Sequence, residues 1–297
     1  MNKNQSKMSA ILFFLPFLVL FILFWVVPFI FGIYTSMHNY HIFSGNNGFI
    51  GLKNFSNLIT GGGVFGGRFY QGMANTFRFV LYSFVPLVVI SLILAIIVNQ
   101  LHGWIKVLFR TIFFISYGVS VTAVSAIFKW LFNGNGGYIN NLLSSVNLPV
   151  VQWLNTQPFA WAVIVVTTVW WTIGYNMVLF INALDEVDTA MYEAAGLDGA
   201  NAIQRFWFIT VPSIKSVLSF VMMTTIIASF NLYGQSLLIT NGGPAQSTNS
   251  IIMIIQQTIF GQKNLGMGSA MALLLGLVMA IISGIQYWIN YRGGEKA

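Results

Sequence analysis

Side chains able to perform covalent or metal chemistry are few in this chain of 297 residues. It has no Cys, and therefore no thiolate nucleophile or disulfide. Its three histidines, His38, His41 and His102, have no convincing companion ligand, so we expect no metal site. The phosphate-cradling loop Gly-x-x-x-x-Gly-Lys-Ser/Thr and the hydrolase motifs His-Glu-x-x-His and Gly-x-Ser-x-Gly do not occur in the sequence. We therefore expect neither enzymatic activity nor a cofactor bound by this chain.

The carboxylates are the most informative polar residues, because five of the six acidic side chains lie within fourteen positions. These five are Asp185, Glu186, Asp188, Glu193 and Asp198. They fall between two long apolar stretches, in a chain that carries few other charges. This concentration of charge indicates a solvent-exposed segment with a specific role.

The segment 185–212 has the pattern of two short helices joined by a turn. Asp188 is a suitable N-cap for the first helix, and Gly196 would end it in the left-handed conformation. Asp198 would cap a second helix, from Gly199 to about residue 209. Pro212 would end that helix and open the next apolar span. We predict an amphipathic hairpin suited to a groove on a partner; a helix on lipid headgroups and a solvated loop are the alternatives.

The composition identifies the setting of this hairpin. Charged residues make up 6% of the chain, against about 25% in a soluble domain, which excludes a cytosolic enzyme, a disordered protein and a secreted disulfide scaffold. The net charge of +7 comes from basic residues scattered singly, which indicates membrane flanks and not a nucleic-acid surface. We predict an all-α polytopic membrane protein, with a single domain over 1–297 and six transmembrane helices. These helices are expected near 9–36, 77–100, 108–132, 158–182, 213–239 and 267–290.

The positions of Lys and Arg predict the orientation in the membrane. With the N-terminus inside, eight basic residues lie on the cytoplasmic side and five on the opposite side. The cytoplasmic ones are Lys3, Lys7, Lys106, Arg110, Arg205, Lys215, Arg292 and Lys296, and the others are Lys53, Arg68, Arg78, Lys129 and Lys263. We therefore expect both termini and the hairpin in the cytoplasm. The outer segments are rich in Gly, Asn and Ser, which predicts loops without a further folded domain.

The centres of the predicted spans carry no charge, although the path of an ion or charged solute usually does. Neutral polar and aromatic side chains occupy this depth in the fourth and fifth spans. They include Trp171, Tyr175, Asn176, Thr225, Ser229, Asn231 and Tyr233, with Trp170 and Gln235 beside them. Amides and hydroxyls hydrogen-bond hydroxyl groups and aromatic faces stack on sugar rings, so these residues are candidates for the path of a neutral, hydroxyl-rich solute. Each of them could instead pack or anchor the helices.

The last predicted span has small residues four positions apart. They are Gly268, Ala272, Gly276, Ala280 and Gly284. Such a stripe lets two helix backbones approach closely. We expect it to pack inside the chain's own bundle, with a seam against a second membrane subunit as the alternative.

Several motifs resemble a known family. The first is the run Tyr192-Glu193-Ala194-Ala195-Gly196-Leu197-Asp198-Gly199-Ala200, followed by Phe206, Ile209 and Val211-Pro212. This segment closely resembles the EAA loop of membrane subunits of binding-protein-dependent ABC importers, with Val211 where Leu is usual. Three further motifs are Thr240-Asn241-Gly242-Gly243-Pro244, Gly51-Leu52-Lys53-Asn54-Phe55 and Asn75-Thr76-Phe77-Arg78-Phe79. They are similar to motifs of the carbohydrate-uptake branch of this family, the sugar permeases of the maltose-transporter type. The resemblance extends from about residue 10 to residue 292.

This resemblance implies a type I permease fold in a bacterial cytoplasmic membrane, and an import path for a mono- or oligosaccharide. The implied partners are a second permease, an extracytoplasmic solute-binding protein and a cytoplasmic ATPase dimer that binds ATP and Mg. The hairpin would be the coupling helix, seated in the ATPase through Glu193, Ala194, Ala195, Asp198, Gly199, Ala200, Phe206 and Pro212. Glu193 would contact the ATPase or orient the loop, and Gly199 would allow close approach. Among the path residues, the resemblance favours Tyr175 and Ser229 as solute contacts.

Other functions remain open at this stage. Glycerol phosphate or another polyol is an alternative solute for such an importer. An ion-coupled secondary carrier would work without an ATPase and would need an ionisable residue or discontinuous helices at mid-membrane. A membrane-embedded enzyme would need paired catalytic groups at membrane depth, where the predicted spans carry neither a carboxylate nor a histidine.

Overall fold

The computed structural model describes residues 3–294, which are mostly helical. Four helices of this part of the chain are long and apolar enough to cross a bilayer unbroken. They are Leu12–Ser36, Gly63–Asn99, Phe159–Asp185 and Leu265–Ile289. The second begins at Gly63 rather than at residue 77, so it continues well beyond the bilayer. Lys296, which the orientation argument counts, lies outside the described residues.

The third and fifth predicted spans are not single straight helices. The third consists of Gly103–Gly118 and Val121–Leu131, bent by 97°. The bend arises because Val119 is extended and the Ser120 side chain accepts a hydrogen bond from the backbone N–H of Ala123, which starts a new helix. The fifth, predicted over 213–239, is helical over Lys215–Phe230 and is bent by 74° from the preceding segment Ala202–Ser213. With each bent pair counted as one span, the described residues provide six.

The segments predicted as loops contain regular structure. Strands His38–His41 and Gly45–Phe49 form an antiparallel hairpin in which Tyr40 pairs with Asn46. Short helices follow at Lys53–Ile59 and Tyr138–Ser145. Further helical elements include Ile251–Gln256 and the π-helical segments Ile22–Val26, Phe206–Thr210, Ser236–Thr240 and Gln257–Gly261. The Gly- and Asn-rich composition of the strand hairpin concealed it from the sequence analysis.

The chain divides into two compact units. The first contains the residues up to Tyr70 and Ile254–Val278. Within this unit, the Thr35 hydroxyl donates a hydrogen bond to the Ser269 hydroxyl at 2.9 Å. The backbone also approaches closely at Gly266, where a Cβ would lie 2.4 Å from the His38 carbonyl oxygen.

The second unit contains Gln71–Met253 and the residues from Met279 onward. Its apolar core includes Met177, Phe180 and Ile181 on the helix Phe159–Asp185. On the same helix, a Cβ at Gly174 would lie 1.9 Å from the carbonyl oxygen of Phe113. The helices Gly103–Ile115 and Phe159–Asp185 therefore approach so closely at this point that only glycine fits.

The small-residue stripe of the last helix does not pack inside this chain as expected. Gly268 is buried against Ile259, but Ala272, Gly276, Ala280 and Gly284 are exposed. Most of the stripe is therefore available to another membrane helix.

Candidate functional site

The first helix of the acidic hairpin is Thr189–Leu197, and its start is as the sequence predicts. The Asp188 side chain accepts a hydrogen bond from the backbone N–H of Ala190 at 2.9 Å. Glu193 and Ala194 are exposed on this helix, and Ala195 is half-buried. Leu197, at its end, is 91% exposed.

The turn of the hairpin differs from the prediction. Gly196 lies inside the helix, and Gly199 is the residue in the left-handed conformation, with φ of 77°. The backbone N–H of Ala200 donates to the Ala195 carbonyl at 2.9 Å, and that of Gly199 donates to the Gly196 carbonyl at 3.2 Å. These two bonds form a Schellman motif, which satisfies the last carbonyls of the helix. The prediction that Gly196 stops the helix is therefore wrong by three positions.

The second helix begins later than predicted. Its N-cap is Asn201, not Asp198, and it forms a capping box with Gln204 through two hydrogen bonds of 2.8 Å. The spacing Asn-x-x-Gln was the sequence signal for this cap. The segment continues through Pro212 to Ser213, and the break falls at Ile214, so Pro212 does not open the next span.

The two arms are joined and present apolar side chains outward. The hydroxyl groups of Tyr192 and Thr210 are hydrogen-bonded at 2.9 Å. Phe206 is half-buried against Trp207, whereas Trp207 and Phe208 are exposed. Exposed aromatic side chains therefore lie beside acidic ones on this hairpin.

A polar cluster that the sequence analysis missed connects the hairpin to the helices of the same unit. The Lys106 ammonium group lies 2.6 Å from the Asp185 carboxylate and 2.7 Å from the Asn99 side-chain oxygen. Arg110 donates to the Asn182 side-chain oxygen at 2.8 Å. Asp185 ends the helix that leads into the hairpin, so this ion pair links that helix end to the helix Gly103–Ile115, which carries Lys106.

All seven predicted path residues line one cavity of about 580 Å³, which we call the central cavity. They are Trp171, Tyr175, Asn176, Thr225, Ser229, Asn231 and Tyr233. Gln235 lines it as well, whereas Trp170 does not and instead contacts Phe128. Its volume falls in the range of about 300–1,000 Å³ typical of small-molecule sites. That these residues contact solute stays a prediction.

The two broken spans supply part of the cavity wall. Tyr117 and Val121 lie on either side of the bend in the third span, and Asn231 to Gln235 follow the end of the helix Lys215–Phe230. Non-helical backbone at membrane depth is stable only where it is buried or lines a cavity. The breaks are therefore part of the site, and Tyr117 is a lining residue that the apolar pattern of its span concealed.

The side chains that line the central cavity carry no formal charge, and only some of their polar groups have hydrogen-bond partners. Asn176 donates to the Thr225 hydroxyl at 3.1 Å, and the hydroxyl groups of Ser83 and Ser229 lie 3.2 Å apart. By contrast, the hydroxyl groups of Tyr175 and Tyr233 have no hydrogen-bond partner in residues 3–294. The Tyr175 ring stacks on Tyr117 at 5.1 Å. The cavity thus offers free hydroxyls and aromatic faces without a formal charge.

The apolar helices, the central cavity and the exposed hairpin together define a membrane transport subunit. Residues 87–292 match the family described as binding-protein-dependent transport system inner membrane component. The chain belongs to this family.

Individual relatives agree with this assignment. The chain is 30% identical to YurN, a probable ABC transporter permease protein of Bacillus subtilis, over 99% of each chain. It is 27% identical to AraP, an arabinooligosaccharides transport system permease protein of Halalkalibacterium halodurans, over 99% of this chain and 92% of AraP. A chain of a bacterial alginate ABC transporter, solved with its pentasaccharide-bound periplasmic protein, matches with a TM-score of 0.80 and 19% identity, over 98% of this chain and 96% of that chain. The predicted ABC importer permease fold is confirmed.

Proposed function

We propose that this permease subunit imports a neutral mono- or oligosaccharide across a bacterial cytoplasmic membrane. The observation that carries the proposal is the central cavity, whose lining includes Tyr, Trp, Asn, Gln, Ser and Thr but no charged residue. Hydroxyl and amide groups exchange hydrogen bonds with sugar hydroxyls, and aromatic faces cover the C–H side of a sugar ring. A relative named for arabinooligosaccharide transport supports the same class of solute.

We propose further that the hairpin couples this path to ATP hydrolysis by a separate cytoplasmic ATPase dimer, which holds ATP and Mg. Glu193 and Gly199 would lie in the ATPase contact. The hairpin and both termini would then be cytoplasmic, with a solute-binding protein docking on the opposite side. The exposed stripe from Ala272 to Gly284 would face the second permease.

Two alternative functions fit the chain less well. A glycerol phosphate importer would need a cation for the phosphate, and the central cavity has none. An ion-coupled carrier would have the discontinuous helices seen here, but the described residues give the same cavity no carboxylate, histidine, lysine or arginine to bind the coupling ion. Transport in proteoliposomes containing this chain alone would favour the carrier.

Uptake by the complete importer tests the proposal. The chain is co-expressed with a second permease, an ATPase and a binding protein encoded beside it, and labelled neutral sugars are offered with ATP. The double variant Tyr175→Ala and Ser229→Ala should raise KM about tenfold, because each change removes a polar solute contact. Trp170→Ala, which lies outside the cavity, should leave KM unchanged. Unchanged KM and rate in the double variant would contradict the assignment of the site.

A further inference from the structure

A second cavity, of about 490 Å³, lies in the same compact unit as the central cavity. We call it the outer cavity. Its lining includes Arg78, Tyr82, Gln157, Trp161, Val165 and Ser247. It lies at the beginning of the helix Phe159–Asp185, whereas the acidic hairpin follows the end of that helix. Its volume, like that of the central cavity, is in the range of about 300–1,000 Å³ for small-molecule sites.

One face of the helix Phe159–Asp185 lines both cavities. Trp161 and Val165 line the outer cavity, and Thr168, Thr172 and Tyr175 line the central cavity, at spacings of three and four residues. The two cavities also meet at a pair of rings. Phe79 of the central cavity stacks on Trp161 of the outer cavity, with centroids 6.2 Å apart. The two cavities are therefore neighbours along a single helix face.

Two hydrogen-bond donors of the outer cavity have few or no protein partners. Trp161 is only 6% exposed, but its indole N–H keeps some solvent access and makes no hydrogen bond within residues 3–294. An accessible donor without a protein partner is available to a ligand or to water. Arg78 donates only to the Asn75 side-chain oxygen, at 3.3 Å, and no acidic residue of the described chain pairs with it.

Two further polar side chains line the outer cavity. The Gln157 side-chain amide donates to the Ser247 hydroxyl at 2.7 Å. That bond fixes the amide and leaves its oxygen as an acceptor. The Tyr82 and Trp161 rings meet edge to face, with centroids 6.5 Å apart.

Aromatic faces beside a guanidinium group and an amide form a site for a sugar ring. The rings cover its C–H face, and the planar guanidinium group donates to neighbouring oxygens. We propose that the outer cavity is a second saccharide subsite, which binds a further unit of an oligosaccharide whose first unit occupies the central cavity. This inference rests on the proposed function, because it assumes that the solute is a carbohydrate.

Dependence of transport on chain length tests the subsite. The complete importer is supplied with partial hydrolysates of arabinan, starch, xylan and mannan, labelled at the reducing end and separated by length. For the series that the wild type imports, Arg78→Met should raise KM for the trimer about tenfold, because charge-assisted hydrogen bonds are lost. KM for the monomer should not change, since the central cavity alone holds it. Tyr82→Leu should act in the same direction.

A matched control and two contrary results complete the test. Arg68→Met removes an arginine from the same helix, outside both cavities, and should leave the length profile unchanged. An equal rise in KM for monomer and trimer, or no rise for either in both variants, would contradict the subsite alone. Import of no series by the wild type would contradict the proposed function, and the subsite with it.

Discussion

Substitution of Gly199 tests whether the turn of the hairpin contacts an ATPase, and a matched control distinguishes a clash with that partner from backbone strain. Gly199 is left-handed, with φ of 77°, and a Cβ built on it meets nothing within 4 Å in this chain. The left-handed conformation costs most residues about 1–2 kcal/mol, and Asn and Asp less, because their side chains bond locally. A total stability of about 5–15 kcal/mol tolerates that cost, so Gly199→Asp and Gly199→Asn should still insert and fold.

We expect both variants to lose uptake. The free space beside Gly199 within the chain would be filled by the ATPase, so an added side chain clashes with the partner. The assay is ATP-driven uptake by the complete importer, with membrane insertion followed by immunoblot and folding by thermal unfolding.

Gly136 provides the matched control. It has φ of 78° and equally open surroundings, but it lies between the helices Val121–Leu131 and Tyr138–Ser145, away from the hairpin in sequence. Gly136→Asp and Gly136→Asn carry the same backbone cost and should retain uptake. Normal uptake in the Gly199 variants would refute the reasoning, and equal loss at both positions would assign the effect to backbone strain.

Two further predictions concern the helices behind the cavity. Gly174→Ala should destabilise the folded protein by about 3 kcal/mol, because its Cβ would lie 1.9 Å from a backbone oxygen of Phe113 that cannot rotate away. Thermal unfolding measures this loss of stability. An unchanged transition temperature would contradict the close approach of the two helices. Lys106→Met should cost at most about 1 kcal/mol in stability, because the pair with Asp185 is partly exposed. It should nevertheless reduce uptake per ATP hydrolysed, and the exchange of Lys106→Asp with Asp185→Lys should restore part of that ratio; no change in the single variant would contradict a role in coupling.

The sequence alone predicted those features of the hairpin that depend on a few neighbouring residues. Asp188 caps the first hairpin helix as predicted, because a cap needs only its own side chain and the next turn. Gly196 and Gly199 are both able to end that helix, and the sequence alone did not decide between them. The Schellman bonds of the observed turn decide in favour of Gly199.

Features that depend on tertiary packing were not predictable. The breaks at Val119 and after Phe230 fall inside segments predicted as single spans, and hydropathy averaged over a span cannot detect them. They are stable because tertiary structure forms a cavity beside them. The convergence of Tyr175 with Tyr233 was anticipated only from a common depth in the membrane, and Tyr117 was missed because it lies at one of these breaks.

The central claim is that the acidic hairpin docks on a separate ATPase in the cytoplasm, and the absence of native cysteine allows a direct test. Leu197→Cys places one thiol on the hairpin at a side chain that is 91% exposed, and Leu148→Cys, 53% exposed in a predicted outer loop, serves as the control. In the complete importer, the thiol at 197 should crosslink to the ATPase and resist a membrane-impermeant maleimide added outside, whereas the thiol at 148 should react with it. Labelling of the thiol at 197 from outside, with no crosslink to an ATPase, would contradict the account.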